Sequence, residues 1–349
     1  MSIRATANQV VQAGLEGAGA PGVKVAATRR LASLSIAPKM EAETTAFRPK
    51  GVKYPTVQAA NKVWSSAEVS GTPTYDEIIV PLSSVFTLPV VTNIMDGVTP
   101  TPAFKYVFTP KSSGADAPTT WTVESGEANG EVFTHGLFTD FDLDVSRGEV
   151  TLGGTMIGQR LLTDQVLTAG LQTPDLVPIL PGQFSIYMAD DVADLGTGAG
   201  TDKQLTKVVS LHPQAGSRFN PAWFLNASNA SFSTYVENAE PDFSVDFLAE
   251  ADDDGLALLA ALETGATKFL RLEAIGPVLA SMTDFPGLTE DETYRLTWDL
   301  AVKVTDPGDF SDEDGVYAVG PTLAVVHDGD WGKASEVTVV CASTTLAAI

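Results

Sequence analysis

Between Tyr294 and Val304 the chain reads YRLTWDLAVKV, with apolar residues at every second position. Leu296, Trp298, Leu300 and Val302 point one way, while Arg295, Thr297, Asp299 and Lys303 point the other. A period of two over this length fits a β-strand with one buried and one wet face. Shorter runs of the same kind recur. They include Ala103 to Thr109, Thr119 to Glu124, Glu149 to Gly153, Phe184 to Met188, Lys207 to Leu211, Ala230 to Glu237, Phe243 to Glu250, Lys268 to Ile275 and Glu336 to Cys341. Glu131 to Val145 puts Phe138, Phe141, Leu143 and Val145 on one inward face with a slip near Asp140, and Ser146-Arg147-Gly148 then suits a hairpin turn. With 30 Gly and 21 Pro among 349 residues, the composition favours strands and turns over long helices. The fold class expected is mainly β.

One segment breaks the pattern. AEADDDGLALLAALETG, Ala249 to Gly265, sits between two strand signals. Leu258, Leu259 and Leu262 share a face at helical spacing. Asp252 or Asp253 can cap the helix start, the other carboxylates lie where the helix dipole favours negative charge, and Gly265 stands where a C-terminal glycine belongs. The triple aspartate is therefore read as a cap rather than a metal cluster. A helix of about ten residues is too short to stand alone and should pack across a sheet. Phe247 and Trp298 are assigned to the core.

The length allows two domains or one elaborated domain. Residues 1–48 are read as an N-terminal arm with a first strand, and 49–153 as the first part of a β-fold that includes a long loop, 49–71. Residues 154–240 are a linker, an elaboration or a second lobe, and 241–349 a helix-flanked β-fold. A loop as long as 49–71 is usually functional or orders against a partner.

The formal net charge of −23 argues against non-specific binding to nucleic acid or anionic membrane. Charge is also uneven: residues 1–60 hold eight Lys/Arg against three Asp/Glu, and residues 241–330 hold four against twenty. A basic end and an acidic end can pair between copies, or the charge can simply keep the surface solvated. Cys341 is the single cysteine, so no internal disulfide forms and a reducing compartment is expected. No apolar signal-peptide core and no membrane-spanning run are visible. The sequons at Asn226 and Asn229 matter only for a secreted eukaryotic protein.

Motifs for chemistry are missing. His135, His212 and His327 are isolated, Gly196 to Gly200 (GTGAG) lacks a following Gly-Lys-Ser/Thr, and no G-x-S-x-G elbow occurs. Asp306 to Asp314 (DPGDFSDED) does not meet the calcium-loop spacing and is read as a solvated hairpin loop. No pair of acids stands out for glycoside hydrolysis. The expectation is a protein without enzymatic activity and without cofactor or metal.

Two segments carry a resemblance: FSVDFLAEADDDGLALLAALETGATKFLRLEAIG (Phe243 to Gly276) and RLTWDLAVKVTDPGDF (Arg295 to Phe310), continued by DEDGVYAVGPTLAVVHDG (Asp312 to Gly329). The stretch from Lys207 through Cys341 resembles major tail tube proteins of long, non-contractile-tailed bacteriophages, of the type common in phages of actinobacteria. VQAGLEGAGAPGVKVAATRRL and RPKGVKYPTV resemble the family more loosely. The resemblance implies a β-sandwich or part-barrel with a flanking helix. Six copies would form a ring, and rings would stack into a hollow tube through which double-stranded DNA passes. It also implies edge-to-edge joining of strands around the lumen, with the long loop and termini bridging rings. The setting would be the virion, assembled in the host cytoplasm, with tape measure, tail terminator and distal tail proteins as partners. This chain is longer than the usual minimal tube subunit.

On that basis Lys50, Lys53, Tyr54 and Lys62 are candidates in the inter-ring loop. Arg29 and Arg30 are candidates for pairing with a neighbour's acids, with ordinary solvation as the alternative. Trp223 and Phe224 follow Pro221 and serve either as a core plug or as an intersubunit contact. Asp299, or the edge carrying Asp246 and Glu250, is placed on the lumen wall, where acids would repel DNA and let it slide; the alternative is that these acids face outward. Competing functions are a β-sandwich binding module, such as a phage decoration protein or adhesin, and a tail ring component that does not polymerise.

Overall fold

The computed structural model describes residues 8–17, 22–127, 129–225, 231–344 and 346, so the two sequons and much of the Gly17 to Gly22 turn lie outside the described residues. In chain order, β1 (Val10–Leu15), β2 (Arg29–Leu31), β3 (Leu34–Phe47) and β4 (Val57–Gly71) precede helix α1 (Ile79–Val85). β5 (Val90–Asp96), β6 (Thr99–Phe108), β7 (Trp121–Gly126), β8 (Asn129–Ser146), β9 (Val150–Gly158) and β10 (Leu162–Val166) follow. β11 (Phe184–Ala189), β12 (Lys203–Gln204), β13 (Val208–Gly216), β14 (Phe219–Ala222), β15 (Thr234–Glu237) and β16 (Asp242–Glu250) lead to helix α2 (Asp253–Thr264). β17 (Lys268–Ala280), β18 (Glu292–Asp306), β19 (Phe310–Glu313), β20 (Val316–Val319), β21 (Thr322–Val325) and β22 (Ser335–Cys341) complete the chain.

The strand that opens the sequence argument, β18, is the branch point of the sheet. One edge pairs with β17 along most of its length. The other edge is shared: Arg295 to Leu300 pair with β22, and Val302 to Asp306 with β21. The first branch continues through β6 to β5. The second runs through β16, β13, β8, β9 and β4 to β3. All pairings are antiparallel, and among the described residues they trace no closed ring. Leu296, Trp298, Leu300 and Val302 are buried, and so is Phe247 of β16. Trp298 meets Phe86 and Phe141 edge-on and donates its indole N–H to Ser335 at 2.9 Å. β13, from the 154–240 stretch, lies between β8 and β16.

Helix α1 is buried on every side, together with Ile78 and Phe86. Its sequence, IVPLSSV, has no polar face, so no amphipathic period marks it, and Pro81 is tolerated because it stands in the first turn. Helix α2 follows its caps. Asp252 accepts from the backbone N–H groups of Asp254 and Gly255, both at 3.1 Å, and Gly265 closes the helix at φ 65°. Asp253 stays exposed in the first turn. The buried face is Gly255, Leu258 and Ala261, with Leu262 packed at its border. Leu259 is only half-buried, so the face is turned away from the expected leucine stripe: the small residues let the helix approach the sheet.

The N-terminal third departs most from expectation. Residues 1–48 are expected to be an arm with one strand, yet among the described residues they hold three, and β1 pairs with both β2 and β7. The 49–71 loop is corrected too: β4 begins at Val57 and pairs with β3 from Phe47↔Val57 to Leu34↔Gly71. Only 48–56 is a turn. The sequence of β4, VQAANKVWSSAEVSG, shows little alternation because both faces of its first half are wet. β19 and β20 likewise turn the acidic 306–314 segment into a hairpin around Asp314-Gly315, both at positive φ (58° and 86°), the backbone that an Asp-Gly turn supplies.

Buried carboxylates staple these segments. Glu77 accepts from the N–H of Ala32 (2.7 Å) and of Ser33 (2.9 Å) and from the Ser33 hydroxyl. Glu16 accepts from Gly22 N, Thr120 Oγ1, Thr122 Oγ1 and His135 N at 2.7–2.9 Å. Glu124 accepts from the Thr168 N–H and hydroxyl and from Gln12. Each satisfies donors that would otherwise be buried without partners, which is why burying these charges is tolerable.

His135 marks the place where β8 changes partners. Its φ is 56°, and the register with β7 shifts there, so an extra residue bends β8 out of the β7 ladder and into the β9 ladder. The Tyr235 hydroxyl holds the bend, its one proton shared between the carbonyls of His135 (2.6 Å) and Ile157 (2.8 Å). The His135 ring is buried against Phe232 and Tyr235, and burial pushes its pKa down, opposed by nearby Glu16. A folded pKa below the unfolded value of about 6.5 gives stability that is full above that pH and is lost as pH falls toward the folded pKa. Unfolding free energy should therefore drop between pH 7 and pH 5, with this one group contributing at most about 1.4 kcal/mol per pH unit. Urea titrations of wild type and His135→Asn, which also tolerates positive φ, check this; equal pH slopes in the two proteins would refute it.

Candidate functional site

The hairpin of β3 and β4 has two parts. Its base is a normal part of the sheet: Leu34, Ile36, Ala67 and Val69 are buried, and Ser65 to Gly71 pair with β9. Beyond Ser65 no third strand joins it among the described residues. Glu41 to Phe47 and their partners continue as a two-stranded ribbon, about 23 Å long at the usual strand rise per residue. Among the described residues no strand pairs with the outer edge of β3, and Pro38, Lys39, Glu41 and Glu43 blunt that edge against indiscriminate pairing.

At the ribbon tip, 48–56, the chain reads RPKGVKYPT, with Arg48, Lys50 and Lys53 and no acid. Thr56 N–H donates to the Phe47 carbonyl at 3.0 Å and Val52 N–H to Pro49 at 3.2 Å, so the tip is a built turn. Gly51 adopts φ 80° there. Among the described residues, none of the three cations has an ion-pair partner. Tyr54 is 68% exposed with the Lys53 ammonium 5.7 Å from its ring centroid, and Phe47, Val52 and Val57 are exposed beside it.

The other sequence candidates fall in different places. Lys62 belongs to β4 rather than to a loop: it pairs with Glu43 across the ribbon at 2.9 Å and lies 5.3 Å from the Trp223 ring centroid. Trp223 meets Trp64 and Phe232 edge-on, so it buttresses the ribbon base, whereas Phe224 is 68% exposed. Arg29 is committed within the subunit, donating to the Asp76 carbonyl at 2.6 Å, and burial pulls its pKa down. Arg30 donates to the Thr173 hydroxyl at 3.0 Å.

Of the expected lumen acids, Asp299 is not free. Arg271, its register partner on β17, grips it through two hydrogen bonds of 2.7 and 2.9 Å. Glu250 pairs with Lys207 at 2.9 Å. Asp246 is exposed and accepts from Thr322 Oγ1 at 2.8 Å. It shares the outward face of the β8–β13–β16 sheet with Asp142 and Asp144, which sequence reasoning overlooked although they alternate with Phe141, Leu143 and Val145. His212 lies between the strands and contacts Asp142.

No three His, Cys, Asp or Glu side chains gather as a metal site among the described residues. Burial, helped by the neighbouring Asp76, pushes the Cys341 thiol pKa up. The arrangement is suited to contact: a projecting basic arm, an open strand edge and an acidic sheet face. Comparison with family models and with curated proteins finds no match to this chain.

Proposed function

We propose that this chain is a structural subunit that stacks with copies of itself into a hollow tail tube, as its resemblance to siphophage major tail tube proteins implies. The observation that carries this reading is the β3–β4 ribbon. A two-stranded ribbon wet on both faces is marginal by itself. A seat on another copy supplies the missing contacts and gives its uncompensated basic tip acids to meet. The open β3 edge, and the outer edge of β5, suit joining between neighbours in a ring. The forked sheet is read as a β-sandwich or part-barrel wall, with the Asp142, Asp144 and Asp246 face toward the lumen, where it would repel passing DNA rather than hold it. On this reading the protein is a non-enzymatic virion component assembled in the host cytoplasm, and it meets tape measure, terminator and distal tail proteins at the ends of the tube.

Negative-stain electron microscopy over a concentration and salt series, with light scattering on a sizing column, tests the proposal. Hollow tubes, or rings of about six copies, are the expected result. A monomer under every condition, including in the presence of a tail-initiating complex, would overturn it. Rings that never stack would favour the non-polymerising ring component.

A further inference from the structure

The ribbon tip needs a receiving surface, and one region of the fold complements it in both charge and shape of contact. The β19–β20 hairpin carries Phe310 and Tyr317 stacked at 5.0 Å with ring planes 3° apart. The two rings remain 47% and 63% exposed. Two aromatics placed face to face on a hairpin and left in water form an apolar platform without a partner in the subunit. The segment that builds it carries Asp306, Asp309, Asp312, Glu313 and Asp314, with Asp312 the register partner of Tyr317 and Asp309 next to Phe310, and no Lys or Arg occurs between residues 304 and 332. Only Asp314 has an ion pair among the described residues, with Arg147 at 3.0 Å.

We propose that the tip of one copy docks on this hairpin of a second copy; this rests on the self-assembly reading above. The tip offers three cations and exposed aromatics, while the platform offers carboxylates around a stacked ring pair. Cations seat over aromatic faces and against flanking carboxylates, and Tyr54 covers apolar surface. Charge complementarity selects a second copy as the occupant: this strongly acidic chain concentrates unpaired basic charge at the tip and acidic charge at the platform. The like-charged alternatives, tip on tip and platform on platform, repel. The β17–β18 end near Val278, with Asp284, Glu290, Asp291 and Glu292, and the β5–β6 turn at Val98, with Asp96, are exposed, apolar and acidic too, but among the described residues neither carries a stacked pair of exposed rings on which a cation can seat.

Charge reversal tests the pairing in the full-length protein. K50E/K53E and D309K/D312K should each raise the concentration needed for assembly by about tenfold or more, and the effect should shrink as salt rises. The combined variant should recover assembly, because the pairing is restored with its signs exchanged. If the wild type assembles but D309K/D312K assembles equally well, or if the combined variant is as defective as the worse of its parents, the platform is not the seat. If the wild type fails to assemble, the tube reading fails separately, and crosslinking then examines the pairing alone. Chains carrying Tyr54→Cys and chains carrying Tyr317→Cys are mixed at high concentration with a short bis-maleimide; the buried Cys341 stays out of the reaction. A mixed dimer well above that from either chain alone supports the pairing, and no excess over those controls overturns it.

Discussion

Replacing Arg218 with Met should destabilise the protein by about 3–5 kcal/mol, the range for removing one partner from a buried charge network. Arg218 is 3% exposed. Its guanidinium meets the Asp116 carboxylate closely and Glu237 at 2.9 Å. It also donates to the carbonyls of Val85 (2.8 Å) and Phe86, the last groups of α1. One side chain thus neutralises two acids and supplies positive charge at the C-terminus of a helix that has no basic residue of its own in its last turn. Methionine keeps much of the stem but leaves the buried Asp116 with only the Lys111 N–H and the more distant Lys111 ammonium at 3.9 Å, and it removes the guanidinium donors from the end of α1. Arg218→Lys retains the charge but loses the planar fork, so it should fall between the two. Urea unfolding followed by tryptophan fluorescence reads the effect, since Trp298 packs against Phe86 at the end of α1. A loss below about 1 kcal/mol for Arg218→Met would show that the network adds nothing beyond an ordinary surface substitution.

The second large effect separates assembly from folding. Residues 43–62 can be replaced by Asn-Gly, so that Ala42 and Val63, already opposite in register, flank a two-residue turn. The removed segment carries no buried residue, and the cut leaves Trp64 in its contact with Trp223. The shortened chain should unfold within about 1 kcal/mol of wild type, because exposed segments contribute little to the core. Self-assembly should be lost at every concentration at which the full chain assembles. A shortened chain that builds the same particles would remove the arm from the mechanism, and one that fails to fold would mean the ribbon belongs to the core after all.

The two most legible elements in the sequence have opposite faces in opposite surroundings. β18 lies between core and solvent, so its period of two survives in YRLTWDLAVKV. α2 announces itself through local chemistry, because Asp252 and Gly265 act on backbone within three or four residues of themselves. The ribbon was hidden for the complementary reason: with both faces wet, Val57 to Lys62 had no buried side to impose a period. α1 was hidden because all its faces are dry. The carboxylate staples were out of reach altogether, since Glu16 and His135 are separated by 119 positions. Asp299 was correctly assigned to the polar face of β18. Its neutralisation by Arg271 depends on strand register, which a single strand does not disclose.

The bend at His135 has a mechanical consequence. β4 is bonded to β9 by seven consecutive residue pairs, and β9 to β8, the one strand that continues past the bend into the β7 and β10 ladders. A pull on the arm along its own axis therefore loads the β4–β9 bonds in shear, all together, instead of peeling them one by one. β8 then hands that load around a corner clamped by Glu16 and Tyr235. The fold passes tension from its arm into both ladders at once, so in the proposed assembly the contact at the tip should yield under load before the sheet behind it.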